Sequence, residues 1–365
     1  MNKTEYQAQI FENRLKKKYK ELRKWARKNR ITCYRLYNKD IPEVPVSVDL
    51  YEFLPDEVQN TTDVALFLNK QNEELSKNNL SVEKEIKNRT FIVLYLYERP
   101  YEKSEQEEND FILQIQKAIS NVIQIREQNI ILKQRKHQKG INQYEKINSP
   151  VNISGLIQEQ GQIFKIDLTS YLDTGIFLDH RPLRKEIREI ARNKKVLNLF
   201  CYTGSFSVYA AQANAKSVES VDLSNTYLSW TEQNLKLNGF TDKNKFIFTK
   251  ADVISFLKEK SQNPENLYDL IILDPPTFSN SKSTKNVLDI NKDYVSLIND
   301  CLNLLEKSGI LFFSTNSTRL SLKPELIVQK TRNASQIQIE DVTQFSIPKD
   351  FENTKCHKCW KITLK

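Results

Sequence analysis

Residues 196–224 read VLNLFCYTGSFSVYAAQANAKSVESVDLS, and this stretch decides the fold. Val196–Phe200 is an apolar run of strand-forming residues, Gly204 marks a turn, and a helix is under way by Ser207. Ser217–Asp222 is a second strand-like run that ends in an acid. Strand, glycine turn, helix and strand in about 30 residues make a βαβ unit. The alternation continues downstream with helix Asn225–Asn238, strand Lys245–Thr249, helix Val253–Lys260 and strand Tyr268–Leu273. Helix Lys292–Leu305, strand Gly309–Ser314 and late strands near Ile337–Glu340 and Trp360–Leu364 follow. This pattern predicts an α/β domain, a parallel sheet covered by helices on both faces.

Upstream the pattern is different. A helix is expected over Phe11–Asn29, then strands at Thr32–Tyr37, Pro45–Tyr51 and Phe91–Tyr97, and a helix over Gln106–Glu127. Ile130–Lys133 reads as a strand, and Val151–Glu159 with Gln162–Asp167 as a hairpin turning at Gln160-Gly161. Asn60–Arg89 is polar and shows no period. The boundary falls between Asp167 and Leu183, giving a smaller α+β domain over 1–168 and an α/β domain over 169–365.

Composition bounds the function. The chain has 365 residues, 39% hydrophobic, enough to build two cores and too apolar for a disordered chain. No apolar run approaches the roughly 18 residues of a membrane span, and the first residues lack the apolar segment of a secretory signal. Five scattered cysteines, an odd number, suit a reduced cytoplasmic protein without a disulfide framework. Residues 1–30 hold 11 Lys/Arg against three acids, so 11 − 3 = +8 of the net +9 lies there. That block includes Lys16, Lys17, Lys20, Arg23, Lys24, Arg27 and Lys28, and it suits either a polyanionic partner or a solvated helix face.

In open parallel sheets ligands bind beyond the carboxyl ends of the strands. The loop after the first strand carries one glycine, Gly204, and lacks both the GxGxxG and the GxxxxGK[ST] patterns, so diphosphate binding is unsupported. Asp222 stands 18 residues later, where an acid can accept from ribose hydroxyls; Asp252, flanked by Ala251 and Val253, could accept an adenine amine. Either aspartate alone could equally be a helix cap. Together they favour an adenosine-type cofactor without a diphosphate. After the fourth strand, Asp274-Pro275-Pro276-Thr277-Phe278 is a stiff loop offering a carboxylate and an aromatic ring suited to a planar heterocycle.

These loops resemble those of class I S-adenosylmethionine-dependent methyltransferases, with their Rossmann-like domain. The segments YLDTGIFLDHRPLR (171–184), NLFCYTGSFS (198–207), DPPTFSNSK (274–282) and DFENTKCHKCW (350–360) narrow the likeness. They resemble the C-terminal half of the bacterial bifunctional large-subunit ribosomal RNA methyltransferase K/L, which methylates a 23S rRNA guanine at N7. The resemblance implies S-adenosylmethionine as cofactor, with Asp179, His180 and Arg181 over it. Tyr202, Thr203 and Gly204 would line its methionine part, Asp222 its ribose, and Leu223 and Asp252 its adenine. Asn198, Phe200, Ser224, Ala251 and Val253 would complete the pocket. Asp274, Pro275, Pro276, Thr277 and Phe278 would meet the target base. Lys133, Arg135, Lys136, Lys139 and Tyr144, with the basic helix, would face RNA in an N-terminal RNA-binding domain. The implied partners are 23S rRNA or a pre-large-subunit particle and a separate N2-guanine methyltransferase, for a chain expected to be a monomer without a metal. A 5-methylcytosine enzyme would need a cysteine after the fifth strand, where the chain reads Ser314-Thr-Asn-Ser-Thr318. An exocyclic-amine methyltransferase and a non-catalytic RNA-binding assembly factor remain as alternatives. The pair Cys356 and Cys359 is read as packed rather than as a zinc module, for want of a second ligand pair.

Overall fold

The computed structural model describes residues 2–98, 104–135, 151–262, 267–279, 287–330 and 337–365. The chain forms two compact units, Met1–Thr174 and Gly175–Lys365.

In the first unit, α1 (Lys3–Lys28) starts upstream of Phe11, because Asn2 and Glu5 form a reciprocal capping box with both bonds at 2.9 Å. Phe11, Leu15, Leu22 and Ala26 are its buried stripe. Then come β1 (Cys33–Asn38), β2 (Val46–Glu52), α2 (Thr61–Ser76), α3 (Leu80–Asn88), β3 (Thr90–Tyr97), α4 (Glu105–Ile123) and β4 (Ile130–Arg135). The sheet order is β1-β2-β3-β4, antiparallel except for the β3–β4 pair. α2 and α3 occupy the stretch that showed no period: their only buried apolar residues are Val64, Leu68 and Ile86. Each is started by an asparagine cap, Asn60 and Asn79. A hairpin of β5 (Ser154–Glu159) and β6 (Gln162–Asp167) turns through Gln160 and Gly161, both with positive φ, as a two-residue turn of this hand requires.

The second unit runs α5 (Arg181–Ile190), β7 (Lys195–Leu199), α6 (Ser205–Gln212), β8 (Ser217–Asp222), α7 (Asn225–Leu237), β9 (Phe246–Lys250) and α8 (Val253–Gln262). It continues with β10 (Tyr268–Leu273), the short β11 (Phe278–Ser279) and β12 (Leu288–Asp289), α9 (Ile290–Asn303) and β13 (Leu305–Thr315). α10 (Pro324–Lys330), β14 (Ile337–Asp341), α11 (Thr343–Ser346) and β15 (Lys358–Leu364) complete it. The seven-stranded sheet has the order β14-β15-β13-β10-β7-β8-β9. It is Rossmann-like and parallel from β9 to β13, but β15 lies antiparallel between β13 and β14. The expected parallel sheet is present from β9 to β13, and β15 adds an antiparallel strand at its edge side, because an apolar run signals a strand but does not encode its direction. Leu197, Leu199, Ile271, Leu273, Leu311, Phe313 and Ile362 form the centre of the core. The connections leave β7 toward β8 on one side and toward β10 on the other, which opens a crevice at the strand ends.

Candidate functional site

The turn after β7 is built of left-handed residues: Phe200 (φ 53°), Tyr202 (φ 51°) and Gly204 (φ 74°). Two of the three carry side chains, and each costs roughly 1–2 kcal/mol there. The surroundings hold this shape. The Tyr202 N–H donates to Asp222 Oδ2 (3.0 Å), Thr231 Oγ1 to the Tyr202 carbonyl (3.0 Å), and Asn234 Nδ2 to the Thr203 carbonyl (2.8 Å). A Cβ on Gly204 would come within 2.3 Å of Thr231 Cγ2, so glycine is needed for space as well as for φ.

Asp222, at the end of β8, is the hinge of this turn. Its second oxygen accepts from the Ser224 N–H at 2.9 Å. Burial pushes its carboxyl up to about 6, against the opposing pull of the Ser224, Tyr202 and Leu223 amides. Asp252 accepts from the Ser255 N–H (3.2 Å) and hydroxyl (2.7 Å), which makes it the cap of α8. Ala251 is tied to the Asp222 carbonyl by its N–H (3.1 Å), and Val253 is buried. Asn198 is buried on β7, and its amide donates to Ser207 Oγ at 2.9 Å, tying the strand to α6.

At the end of β10, Asp274 Oδ1 accepts from the Ser314 hydroxyl and faces His180 Nε2 at 3.6 Å. Pro275 is buried, Thr277 and Phe278 are exposed, and Phe278 pairs with Asp289 across the β11–β12 ribbon. His180 is 1% exposed and lies between two carboxylates: its Nδ1 is 3.5 Å from Asp179 Oδ1. Among the described residues neither ring nitrogen has a hydrogen-bond partner, so the two carboxylates act on the ring through charge rather than through close bonds. Burial alone would lower the His180 pKa, but Asp274 and Asp179 outweigh it and the value is raised. The His180 ring stacks on His357 at 4.3 Å, and His357 Nδ1 meets Asp179 Oδ2 at 2.9 Å. Burial would raise Asp179, yet the two imidazoles hold it well below the carboxylate range.

Arg181, expected over the cofactor, is buried and paired with buried Asp350 at 2.8 Å. Sequence reasoning gave no role to Asp350, His357, Ser314 or Thr231. The segment DFENTKCH (350–357) carried the first two as part of the resemblance, without a partner. Cys359 is buried on β15, whereas Cys356 Sγ lies against His357 Nδ1 at 3.5 Å, so the two thiols do not act as a pair. Asp179, Cys356 and His357 bring ligand-type atoms within 4.8 Å of one another, and the close contact among them is the Asp179–His357 ion pair. Cys201 is buried, and burial pushes its thiol well up, away from nucleophile chemistry.

In the first unit the basic residues separate by environment. Lys16, Lys17, Lys20, Lys24 and Lys28 are exposed along α1, whereas Arg23 and Arg27 are half-buried. Lys133 corrects the expectation of an RNA-facing cluster: it is buried, and its ammonium donates to the carbonyls of Tyr171 (2.7 Å) and Leu172 (2.9 Å). Charge in the sequence could not separate a tether from a solvent-facing lysine. Arg135 ends β4, while Lys136, Lys139 and Tyr144 lie outside the described residues. Among the described residues no helix is long and apolar enough to cross a membrane.

Residues 84–364 match the protein family described as S-adenosylmethionine-dependent methyltransferase. The chain is 37% identical over 358 residues to ribosomal RNA large subunit methyltransferase K/L of Magnetococcus marinus, covering 98% of this chain and 43% of that protein. It is 37% identical over 356 residues to ribosomal RNA large subunit methyltransferase K of Neisseria meningitidis, covering 97% and 87%. The chain therefore spans less than half the length of the K/L relative. Among solved structures, SMU.776 complexed with SAH superposes with a TM-score of 0.66 at 23% identity, covering 98% of this chain and 82% of that one. A SAM-dependent methyltransferase structure from Streptococcus mutans gives 0.66 at 22%, covering 98% and 81%. At these identities both establish the fold.

Proposed function

Because the chain belongs to the S-adenosylmethionine-dependent methyltransferase family, together with ribosomal RNA large subunit methyltransferase K, we propose that it methylates N7 of a guanine in 23S ribosomal RNA. S-Adenosylmethionine supplies a sulfonium-activated methyl group when bound. The residues present fit its adenosine end: a glycine turn with no room for a Cβ, a strand-end acid at Asp222 and a second at Asp252. In this reading Asp222 accepts from the ribose hydroxyls, Asp252 takes the adenine amine with the carboxylate capacity left beside its cap, and Tyr202 to Gly204 cradle the amino-acid part.

The observation that carries the N7 reading is Asp274, fixed at the mouth of the sheet by Ser314 and His180 and followed by two prolines and an exposed ring. Guanine N7 bears a lone pair and no proton, so the chain needs no general base; its task is to align the base and to stabilise the charge the ring acquires. Asp274 supplies a fixed negative charge for that ring. Phe278 stacks on the extruded base, worth about 1–3 kcal/mol, and the stiff prolines keep both groups in place. The end of β13 and the loop after it, Ser314 to Thr318, hold no thiol, which a 5-methylcytosine enzyme would need there, and Ser314 is already committed to Asp274. The exposed lysines of α1 would grip RNA phosphates, on naked 23S rRNA or a precursor particle, with N2-guanine methylation left to a separate chain.

Nucleoside mass spectrometry of 23S rRNA from a deletion strain tests this. Loss of 7-methylguanosine is expected; loss of 5-methylcytidine or N2-methylguanosine in its place overturns the assignment. An Asp274→Ala protein should bind S-adenosylmethionine normally yet lose methyl transfer by about 100-fold or more.

A further inference from the structure

In the first unit, α1 carries two neighbouring rows of different fate. Lys16, Lys20, Lys24 and Lys28 recur every fourth residue and are exposed, whereas Tyr19, Arg23 and Arg27, also every fourth residue, line a small cleft with Tyr34. Two acids of that cleft are already engaged. Glu83 accepts from Arg23 at 3.0 Å, and Glu52 faces Gln71 (3.2 Å) and Arg89 (3.5 Å). Arg23 also lies over the Tyr19 ring, 5.7 Å from its centre. What remains is a set of donors. Arg27 makes no hydrogen bond or ion pair among the described residues, nor do the hydroxyls of Tyr19 and Tyr34, although Tyr34 is only 4% exposed. Burial and then the neighbouring Arg23 act against the Arg27 charge and lower its pKa, outweighing the opposing pull of Glu52.

A half-buried guanidinium with no hydrogen bond or ion pair among the described residues is costly, since its desolvation is only partly offset by the field of Glu52. Three idle donor groups around one cleft call for a ligand rich in acceptors and negatively charged. A guanidinium fork flanked by hydroxyls matches the several oxygens of a phosphoryl group. We infer that this cleft is a receptor for one phosphoryl group, held by the Arg27 fork and the hydroxyls of Tyr19 and Tyr34, and carried either by an RNA strand or by a free phosphate compound. Lys20 and Lys24 stand three residues from Arg23 and Arg27, so a strand gripped by the lysine row would have a phosphate beside the cleft. The RNA source rests on the function proposed above; the oxyanion receptor stands without it.

The test uses the full chain and its Arg27→Gln, Tyr34→Phe and Lys16→Gln variants. Inorganic phosphate is titrated by 31P line broadening, and a short labelled RNA by anisotropy across a salt series. Wild-type protein should broaden the phosphate line saturably, and Arg27→Gln should abolish this without lowering the Tm. RNA affinity should fall about tenfold in Arg27→Gln, less in Tyr34→Phe and least in Lys16→Gln. The salt slope of Arg27→Gln should be shallower by about 0.7. Lost phosphate binding with unchanged RNA affinity would establish the receptor and assign it to a free phosphate compound. Unchanged phosphate and RNA binding in Arg27→Gln, or a lowered Tm there, would overturn it. An S-adenosylmethionine thermal shift in parallel separates this outcome from failure of the methyltransferase reading.

Discussion

His180 and Arg27 are both basic groups withdrawn from water, and their surroundings differ. His180 sits between the carboxylates of Asp179 and Asp274, with Asp179 further bonded to a second imidazole, so its charge is balanced within the fold. Arg27 shares its cleft with two hydroxyls, another arginine and the acids Glu52 and Glu83, which bond to other residues, and among the described residues it forms no ion pair. A balanced buried charge fixes positions; an unbalanced one costs stability and is retained where a ligand completes it. One unit thus sets its buried imidazole between carboxylates, beside Asp274, and the other keeps its cation for an incoming anion.

The largest test of this contrast is Asp179→Asn. It strips the anion that His180 and His357 share, and the unfolding free energy of the second unit should fall by about 3–5 kcal/mol in denaturant titration; a loss below about 1 kcal/mol would mean the cluster is not a charge balance. A pH series sharpens the same point. His180 binds its proton more tightly folded than unfolded, so its contribution is full below the unfolded histidine value of about 6.5 and is lost as pH rises through the raised folded value. Asp179 is depressed, so its contribution is present above the ordinary 3.8 and is lost on acidification. The Tm of the second unit should therefore be highest between these limits and fall as pH rises past 7, whereas a Tm that climbs with pH would contradict the ion-pair reading. The smallest effect separates the two cleft arginines. Arg23→Gln leaves Glu83 without its bond and should cost up to about 1 kcal/mol, given partial exposure. Arg27→Gln should cost nothing, and equal losses in the two would erase the distinction.

How much of this could be read from the chain follows from the range of each interaction. Strands buried on both faces announce themselves as continuous apolar runs, as in Tyr268–Leu273, so the α/β alternation was legible. Asp222, Asp252 and Asp274 were legible for a related reason: each stands at a strand end or within two residues of one, and the sheet topology fixes where strand ends go. α2 and α3 were not, since they bury little and only their asparagine caps mark them. Nor were the pairings Arg181–Asp350 and Asp179–His357, whose members lie 169 and 178 residues apart and leave no periodic trace. Lys133 misled because a buried tether and a phosphate contact are the same residue type in a sequence.

Asp222 joins two properties that are usually separate. The same carboxylate that would receive a sugar also holds the peptide amide of Tyr202 in its left-handed shape, and it titrates near 6. A proton added there removes a charge and slackens the cradle in one event. In the role proposed for Asp222, mild acidity should weaken nucleoside binding at this turn while the sheet beneath it stays intact.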